Sequence, residues 1–405
     1  MPLDTGTTAF MLVSTALVMI MTPGLAFFYG GLVHRKNVLT IMMQSYVSMG
    51  ITTILWVTVG YSLCFSGDVG GIIGNLDNAF LAGIALTDLY GGVDGTFPLL
   101  LFVVYQMMFA VITPALITGA FAGRITFKAY LIFLVGWQLL VYYPFVHMLW
   151  GGGMMADWGA LDFAGGIVVH ASAGMAALAS VLYVGSRNVE ADAPHNLPFV
   201  ALGAALLWFG WFGFNAGSQY AVDNVTVVAF LNTQIGASFA AVTWLLLAWY
   251  NDAKPSFLEM LIGMIAGLAT ITPAAGFVSP QSAMIIGIAA GVVCYYAVVL
   301  RKKKKLDDAL DVWGVHGVGG ALGIILLGVL ASEKVGGQDG LYHGDSHFFF
   351  VQLAALALAC VWAFTFTYGL LWGIDKITPV RVTSKTEQIG LDEVLHGEIA
   401  YPEEE

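Results

Sequence analysis

The chain has 405 residues, of which 59% are apolar and only 10% charged, and its mean hydropathy is +0.82. An average soluble domain carries about 25% charged residues, so a water-soluble globular protein is excluded and lipid must be the main solvent. The net charge of −11 gathers in loops and in the tail, which ends in Glu403-Glu404-Glu405, and it points to no nucleic-acid partner. The 49 glycines suit helices packed closely in a membrane, where small residues let backbones approach. Cys64, Cys294 and Cys360 sit in apolar runs without disulfide or metal-ligand spacing, and read as core residues.

A transmembrane helix needs about 20 mainly apolar residues. Eleven stretches qualify, at 8–31, 38–64, 97–122, 130–150, 163–184, 197–218, 227–250, 257–274, 283–300, 312–332 and 348–374. No basic residue precedes the first, so it reads as a true span rather than a secretory signal. Segment 65–96 holds an apolar patch broken by Asn75, Asp77 and Asn78. The basic residues decide against a twelfth span there. With eleven spans, Arg35, Lys36, Arg124, Lys128, Arg187, Lys254, Arg301 to Lys305, Lys376, Arg381 and Lys385 share one side, and only Lys334 falls on the other. Cytoplasmic loops carry the excess of Lys and Arg, which puts the N-terminus outside and the C-terminus inside. The expected architecture is therefore an all-α polytopic membrane protein with eleven transmembrane helices. Its domains are a membrane unit over 1–375 and a cytoplasmic tail over 376–405.

A faint repeat runs through the membrane unit. The fifth span reads His170-Ala-Ser-Ala-Gly174 and the tenth His316-Gly-Val-Gly-Gly320, with Asp162 and Asp311 a little upstream. The first span has Phe28-Tyr-Gly-Gly31 and the sixth Phe214-Asn-Ala-Gly217. Both pairs are offset by five helices. Five is odd, so the halves, about 8–184 and 197–332, would be inverted, as in transporters built from inverted repeats. Helix 348–374 stands outside the repeat.

Ionisable groups inside a membrane are costly and usually face a pore or pair with each other. A single buried histidine is equally well read as one bonded to a backbone carbonyl; two at repeat-equivalent positions favour function. Neutral imidazole donates from one nitrogen and accepts at the other, so two rings in a narrow lumen can hold a small polar solute or relay a proton. Gly174 and Gly320 lie four residues after each histidine, on the same helix face, and would let the helices approach until the rings meet. Asp162 precedes His170 by eight residues, about 12 Å along a helix. It reads as an N-terminal cap or as an attraction for an entering cation, and the two are compatible. Trp150 at a span end reads first as a belt residue, and Phe109, Trp211 and Phe214 as core or lipid-facing residues. Together, and with a hydroxyl such as Ser218, they can also form a cation–π site.

These residues resemble a known family. Trp150-Gly-Gly-Gly153, Asp162-Phe-Ala-Gly-Gly166 through His170 to Gly185-Ser-Arg187, Gly210-Trp-Phe-Gly-Phe-Asn-Ala-Gly-Ser218 and Asp311-Val-Trp-Gly-Val-His316-Gly look like the Amt branch of the ammonium transporter (Amt/Mep/Rh) family. The likeness extends into the tail at Gly390-Leu-Asp392 and His396-Gly-Glu398. It implies eleven helices with a pseudo-two-fold repeat in a homotrimer of the plasma membrane, one pore per subunit. Phe109, Trp150 and Ser218 match the outer ammonium-recruitment site, and Phe109 and Phe214 the paired rings that gate the pore. His170 and His316 match the twin histidines of the lumen, Trp211 a pore-lining residue, and Asp162 an aspartate needed for transport. Ammonium is the implied substrate, with methylammonium as its analogue, and no cofactor or metal is expected. A PII-type signal protein at the cytoplasmic face is a typical partner.

Three other readings compete. A sensor would signal through its tail, and residues 375–405 are few for an output domain. A channel for neutral gas would have no use for the capture residues Trp150 and Ser218. An enzyme would need a nucleophile–base pair or metal-ligand spacing, and neither appears outside the histidine pair.

Overall fold

The computed structural model describes residues 3–91, 96–189 and 194–401. Among them eleven helices are long and apolar enough to cross a bilayer: α1 Thr5–Leu32, α2 Arg35–Phe65, α3 Leu99–Ile117, α4 Phe127–Asp157, α5 Gly166–Val184, α6 Leu197–Gln219, α7 Asn224–Asp252, α8 Phe257–Ala274, α9 Pro280–Lys303, α10 Trp313–Leu330 and α11 Ser346–Asp375. Each falls on one of the eleven apolar stretches of the sequence. The protein is thus an all-helical, multi-pass membrane protein. The described part of segment 65–96 holds short turns, a 3₁₀ turn at Ala79–Leu81 and the isolated bridges Val69–Ile73 and Leu89–Pro98.

Most spans begin on a polar side chain that accepts a bond from a free N–H of the first turn: Asp4, Thr126, Asn196, Asp223, Ser256, Ser279 and Asp345. Helices α5 and α10 begin differently. Each opens on a π-helical turn, Gly166–Ala171 and Trp313–Gly317, and each of these turns carries a histidine. The widened turn re-aims side chains relative to a regular helix and often marks a functional position.

Helix α1 packs along α6, α7 lies against α8 and α9, and α5 is held between α10 and α11. The C-terminal segment folds back onto the same end of the bundle as the α1–α2 and α5–α6 connections. Asp392 accepts from the backbone N–H groups of Leu39 and Thr40 at 2.9 and 2.7 Å. Arg381 donates to the carbonyls of Val184 and Ser186 at 2.9 and 2.7 Å.

Beneath that segment lies a charged cluster. Arg124 is fully buried and donates to the carbonyls of Gly185, Asp307 and Ala120. The Asp307 carboxylate lies 3.4 Å from Arg124 and 2.5 Å from Arg187. Burial alone would raise the Asp307 carboxyl, but the Arg187 hydrogen bonds and the charge of Arg124 outweigh it and hold the group below its usual value. Its ionised form is therefore the one that stabilises the fold, an effect lost only as the pH falls through that lowered value. Breaking a buried ion pair from one side costs about 3–5 kcal/mol. We expect purified Asp307→Ala to melt several degrees below the parent, because it strands the Arg124 charge. An unchanged melting temperature would contradict this assignment.

Candidate functional site

The site is organised by a backbone-to-backbone contact between α5 and α10. A methyl group added to Gly174 would fall on the Cα and amide nitrogen of Gly317. One added to Gly320 would sit 2.7 Å from the amide nitrogen of Ala171 and 2.8 Å from Cβ of His170. The two glycines that follow the histidines by four residues thus remove the side chains that would hold the helices apart. At that distance the rings stack, with centroids 5.2 Å apart and planes 18° from parallel. His170 Nδ1 and His316 Nδ1 are 3.2 Å apart. One hydrogen bond joins two nitrogens only if one donates and the other accepts, so neutral rings adopt opposite tautomers. His170 Nε2 is buried without a hydrogen-bond partner and is free for a solute.

The rings line a cavity of about 20 Å³, room for one water-sized molecule. Phe28, Tyr29, Val169, Trp211 and Phe214 line it too, with aliphatic side chains filling the rest of the wall. The cavity carries no charged side chain among its lining residues. Trp211 stacks on His170 at 5.5 Å and donates its indole N–H to Thr272 Oγ1 at 2.8 Å, which fixes the ring's orientation.

A line of aromatic rings leads away from the histidines, toward the end of the bundle remote from the tail. Phe214 lies 6.1 Å from His170 and 4.3 Å from Phe109, and Phe109 meets Trp150 edge-on at 6.0 Å. Phe109 and Phe214 are each 1% exposed and lie between Trp150 and His170. Beyond them a mouth of about 330 Å³ is lined by Tyr90, Trp150, Asp162, Ser218, Tyr220 and Phe277. Ser218 donates to the Phe214 carbonyl at 2.9 Å, and its oxygen lies 3.3 Å from the Tyr105 hydroxyl. The site residues expected from the sequence therefore form one path: Trp150 and Ser218 at the mouth, Phe109 and Phe214 across it, then His170, Trp211 and His316.

Asp162 caps α5 with both carboxylate oxygens. Oδ1 accepts from the N–H groups of Gly165 and Gly166 at 2.8 and 2.6 Å, and Oδ2 from those of Ile167 and Val168 at 2.7 and 3.2 Å. The chain bends into this cradle at Gly165, whose φ of +124° is strained for any residue with a Cβ. Burial pushes the Asp162 carboxyl above its ordinary value while the four N–H groups pull it down. Its carbonyl accepts the Trp150 indole N–H at 2.9 Å, so the cap and the ring at the mouth are one unit. Segment 65–96 supports that unit from outside. The Gly71 carbonyl accepts the Met154 N–H at 2.8 Å, and buried His147 joins the Cys64 carbonyl and Asp68, each at 2.9 Å.

The repeat expected from the sequence needs one correction. Asp311 is not the counterpart of Asp162; Asp308 is. Asp308 lies eight residues before His316, as Asp162 does before His170, and accepts from the N–H of Trp313 five residues on, at 2.7 Å, as Asp162 does from Ile167. Asp311 instead pairs with Arg301 at 2.6 Å, and burial pushes its carboxyl up to about 6 against that attraction. It lines the tail-side mouth, about 540 Å³, with Arg187, Lys302 and Asp307. Sequence reasoning also left Phe28 and Tyr29 without a place at the site, although the match of Phe28 to Phe214 in the repeat was a signal for the first. Cys64 and Cys294 are buried, while Cys360 is only partly so.

A multi-pass helical membrane protein with a histidine-lined chamber between two mouths has the build of a transporter. The model of the Ammonium Transporter Family matches residues 9–401, and the chain belongs to that family, one of transporters rather than enzymes. It is 45% identical to ammonium transporter Amt1 of Archaeoglobus fulgidus over 402 residues, 98% of this chain and 99% of the relative. Its fold matches the crystal structure of Candida albicans Mep2 with a TM-score of 0.88 at 34% identity, over 95% of this chain and 87% of that one. It also matches a structure titled Sensor Amt Protein, with a TM-score of 0.89 at 28% identity, over 96% and 98% of the two chains.

The glycine contact makes a prediction of its own. Overpacking a closely packed position costs roughly 1–3 kcal/mol, and here it separates the two rings. Gly320→Val is expected to lower the melting temperature and to abolish uptake of labelled methylammonium. Gly373→Ala, at a glycine whose added methyl meets nothing within 4 Å, is expected to do neither. Parental uptake by Gly320→Val would show that the close approach is dispensable.

Proposed function

We propose that the protein takes ammonium from outside the cell, releases its proton at the aromatic gate to water in the outer mouth, from which the proton either returns outside or crosses separately, and conducts ammonia past His170 and His316 into the cytoplasm. The observation that carries this reading is the chamber: about 20 Å³ with no charged lining side chain. Moving a bare ion into such surroundings costs tens of kcal/mol in the Born limit. Potassium cannot shed its charge. Ammonium can, by leaving a proton behind, and the remaining ammonia fits a one-molecule chamber and exchanges hydrogen bonds with imidazole.

Each residue has a part in this sequence. Trp150 and Phe109 offer ring faces to the cation, and Ser218 a hydroxyl lone pair. Asp162 supplies negative charge beneath the cation. All four N–H contacts occupy its oxygens, so it acts through its field and through the cap rather than as a free base. Phe109 and Phe214 exclude hydrated ions, and the neutral solute passes the histidine pair beside Trp211. The orientation follows from charge: all the basic residues except Lys334 fall on the side of the tail, which is assigned to the cytoplasm. Residues 1–375 form the transporting unit and 376–405 its cytoplasmic tail. A homotrimer in the plasma membrane, with a PII-type partner at the tail face, completes the proposal. Sensing is the second reading, favoured by the likeness to the Sensor Amt Protein; the same site would then bind ammonium with little flux.

Methylammonium uptake by the purified protein in liposomes tests the reading. His170→Ala and His316→Ala are each expected to abolish selective uptake, and Asp162→Ala to abolish it while the protein still folds. A cation–π contact in a desolvated site is worth about 2 kcal/mol, so Trp150→Leu should raise the half-saturating concentration roughly thirtyfold. Parental uptake and selectivity in both histidine variants would overturn the reading. Ammonium binding without uptake by the parent protein would favour the sensor.

A further inference from the structure

Helix α11 has no counterpart in the repeat and contributes nothing to the chamber wall, yet it reaches the site at one point. Gln352, completely buried on α11, bonds twice to the backbone of a single residue. Its Oε1 accepts from the Leu161 N–H at 2.8 Å, and its Nε2 donates to the Leu161 carbonyl at 2.8 Å. Leu161 directly precedes Asp162. On the other side of Asp162, the Phe163 N–H donates to the Pro273 carbonyl at 3.1 Å. Asp162 is thus suspended between two anchored neighbours, and its own carbonyl holds the Trp150 indole.

The geometry does more than satisfy polar groups. Leu161 lies outside the regular part of any helix, where backbone N–H and C=O groups at membrane depth need partners. Separate donors and acceptors would meet that need. One planar amide engaging both groups, as a neighbouring β-strand would, also fixes the direction of the Leu161 peptide. The next residue begins the turn whose carboxylate must meet four N–H groups. A planar side chain with one donor edge and one acceptor edge is what this requires, and Asn and Gln offer it at every pH. The α5–α11 packing supplies the fixed base from which the amide reaches.

We propose that Gln352 is a positioning residue for transport: through Leu161 it sets Asp162 and Trp150 in place, which makes α11 part of the transport machinery. The inference rests on the role proposed above for Asp162 and Trp150. Gln352→Leu removes both bonds with little change in shape and is expected to lower methylammonium uptake at least tenfold in protein that is made and assembled normally. Gln352→Glu gives a sharper signature. A protonated carboxyl replaces both bonds, its O–H donating to the Leu161 carbonyl and its C=O accepting the N–H. An ionised one has only acceptors and repels the carbonyl.

Uptake by Gln352→Glu, divided by that of the parent at the same pH, is therefore expected to fall as the medium passes from mildly acidic to mildly alkaline. A merely structural glutamine would give variants whose uptake per folded molecule equals the parent's at every pH, and that result overturns the proposal. If Gln352→Leu does not fold, the pH series of Gln352→Glu decides alone. Asp162→Asn is run in parallel. If it is inactive while both Gln352 variants match the parent, only the present inference falls. If it is fully active, the role of Asp162 falls and this inference falls with it.

Discussion

The site depends on how closely two helices touch. Helices α5 and α10 meet at Gly174, Gly317 and Gly320 with no side chain between them, and the histidine pair exists because of that contact. In lipid there is no hydrophobic drive to bring helices together, so close approach of backbones has to supply the packing energy. Here the same approach sets the width of the chamber. The two rings, 5.2 Å apart at their centroids, line a chamber of about 20 Å³, with room for one small molecule and for nothing that keeps its hydration shell.

Both helices start in the same way at opposite ends of the path. A π-helical turn carries the histidine, and an aspartate eight residues earlier reaches forward to close the turn. The two ends then diverge in their surroundings. Asp162 has four N–H donors, a tryptophan bonded to its carbonyl and no cationic side chain among its hydrogen-bond partners. Asp308 stands among Arg124, Arg301 and the Asp307 and Asp311 carboxyls, with Oδ1 unpartnered. On the function proposed above, the first mouth favours a cation through an aspartate that bonds to no arginine, while arginines stand beside the carboxylates of the second. The shared backbone and the unlike surroundings distinguish the two ends of the path.

Much of this was legible in the sequence. Eleven apolar stretches gave the eleven helices, because lipid allows few other ways to satisfy a backbone. The histidines, their following glycines and the residues Phe109, Trp150, Asp162, Trp211, Phe214 and Ser218 all stand out in the sequence, and the fold brings them together. The repeat was read with its acidic residue three positions out of register, since Asp307, Asp308 and Asp311 crowd one short loop and composition cannot say which of them turns toward the helix start. Gln352 carried no signal at all. A lone glutamine in an apolar run acquires meaning only when the chain brings it to the Leu161 backbone, 191 residues away.

If ammonium sheds its proton before the chamber, as proposed, no charged ion crosses it intact and selection rests on the loss of that proton. Uptake into liposomes by one preparation of reconstituted protein, with labelled methylammonium, ammonium and a potassium tracer supplied in turn, is the decisive measurement. Saturable uptake of ammonium and methylammonium, and none of potassium even in large excess, is expected. Potassium uptake through the intact protein at a rate comparable to that of ammonium would overturn the proposal.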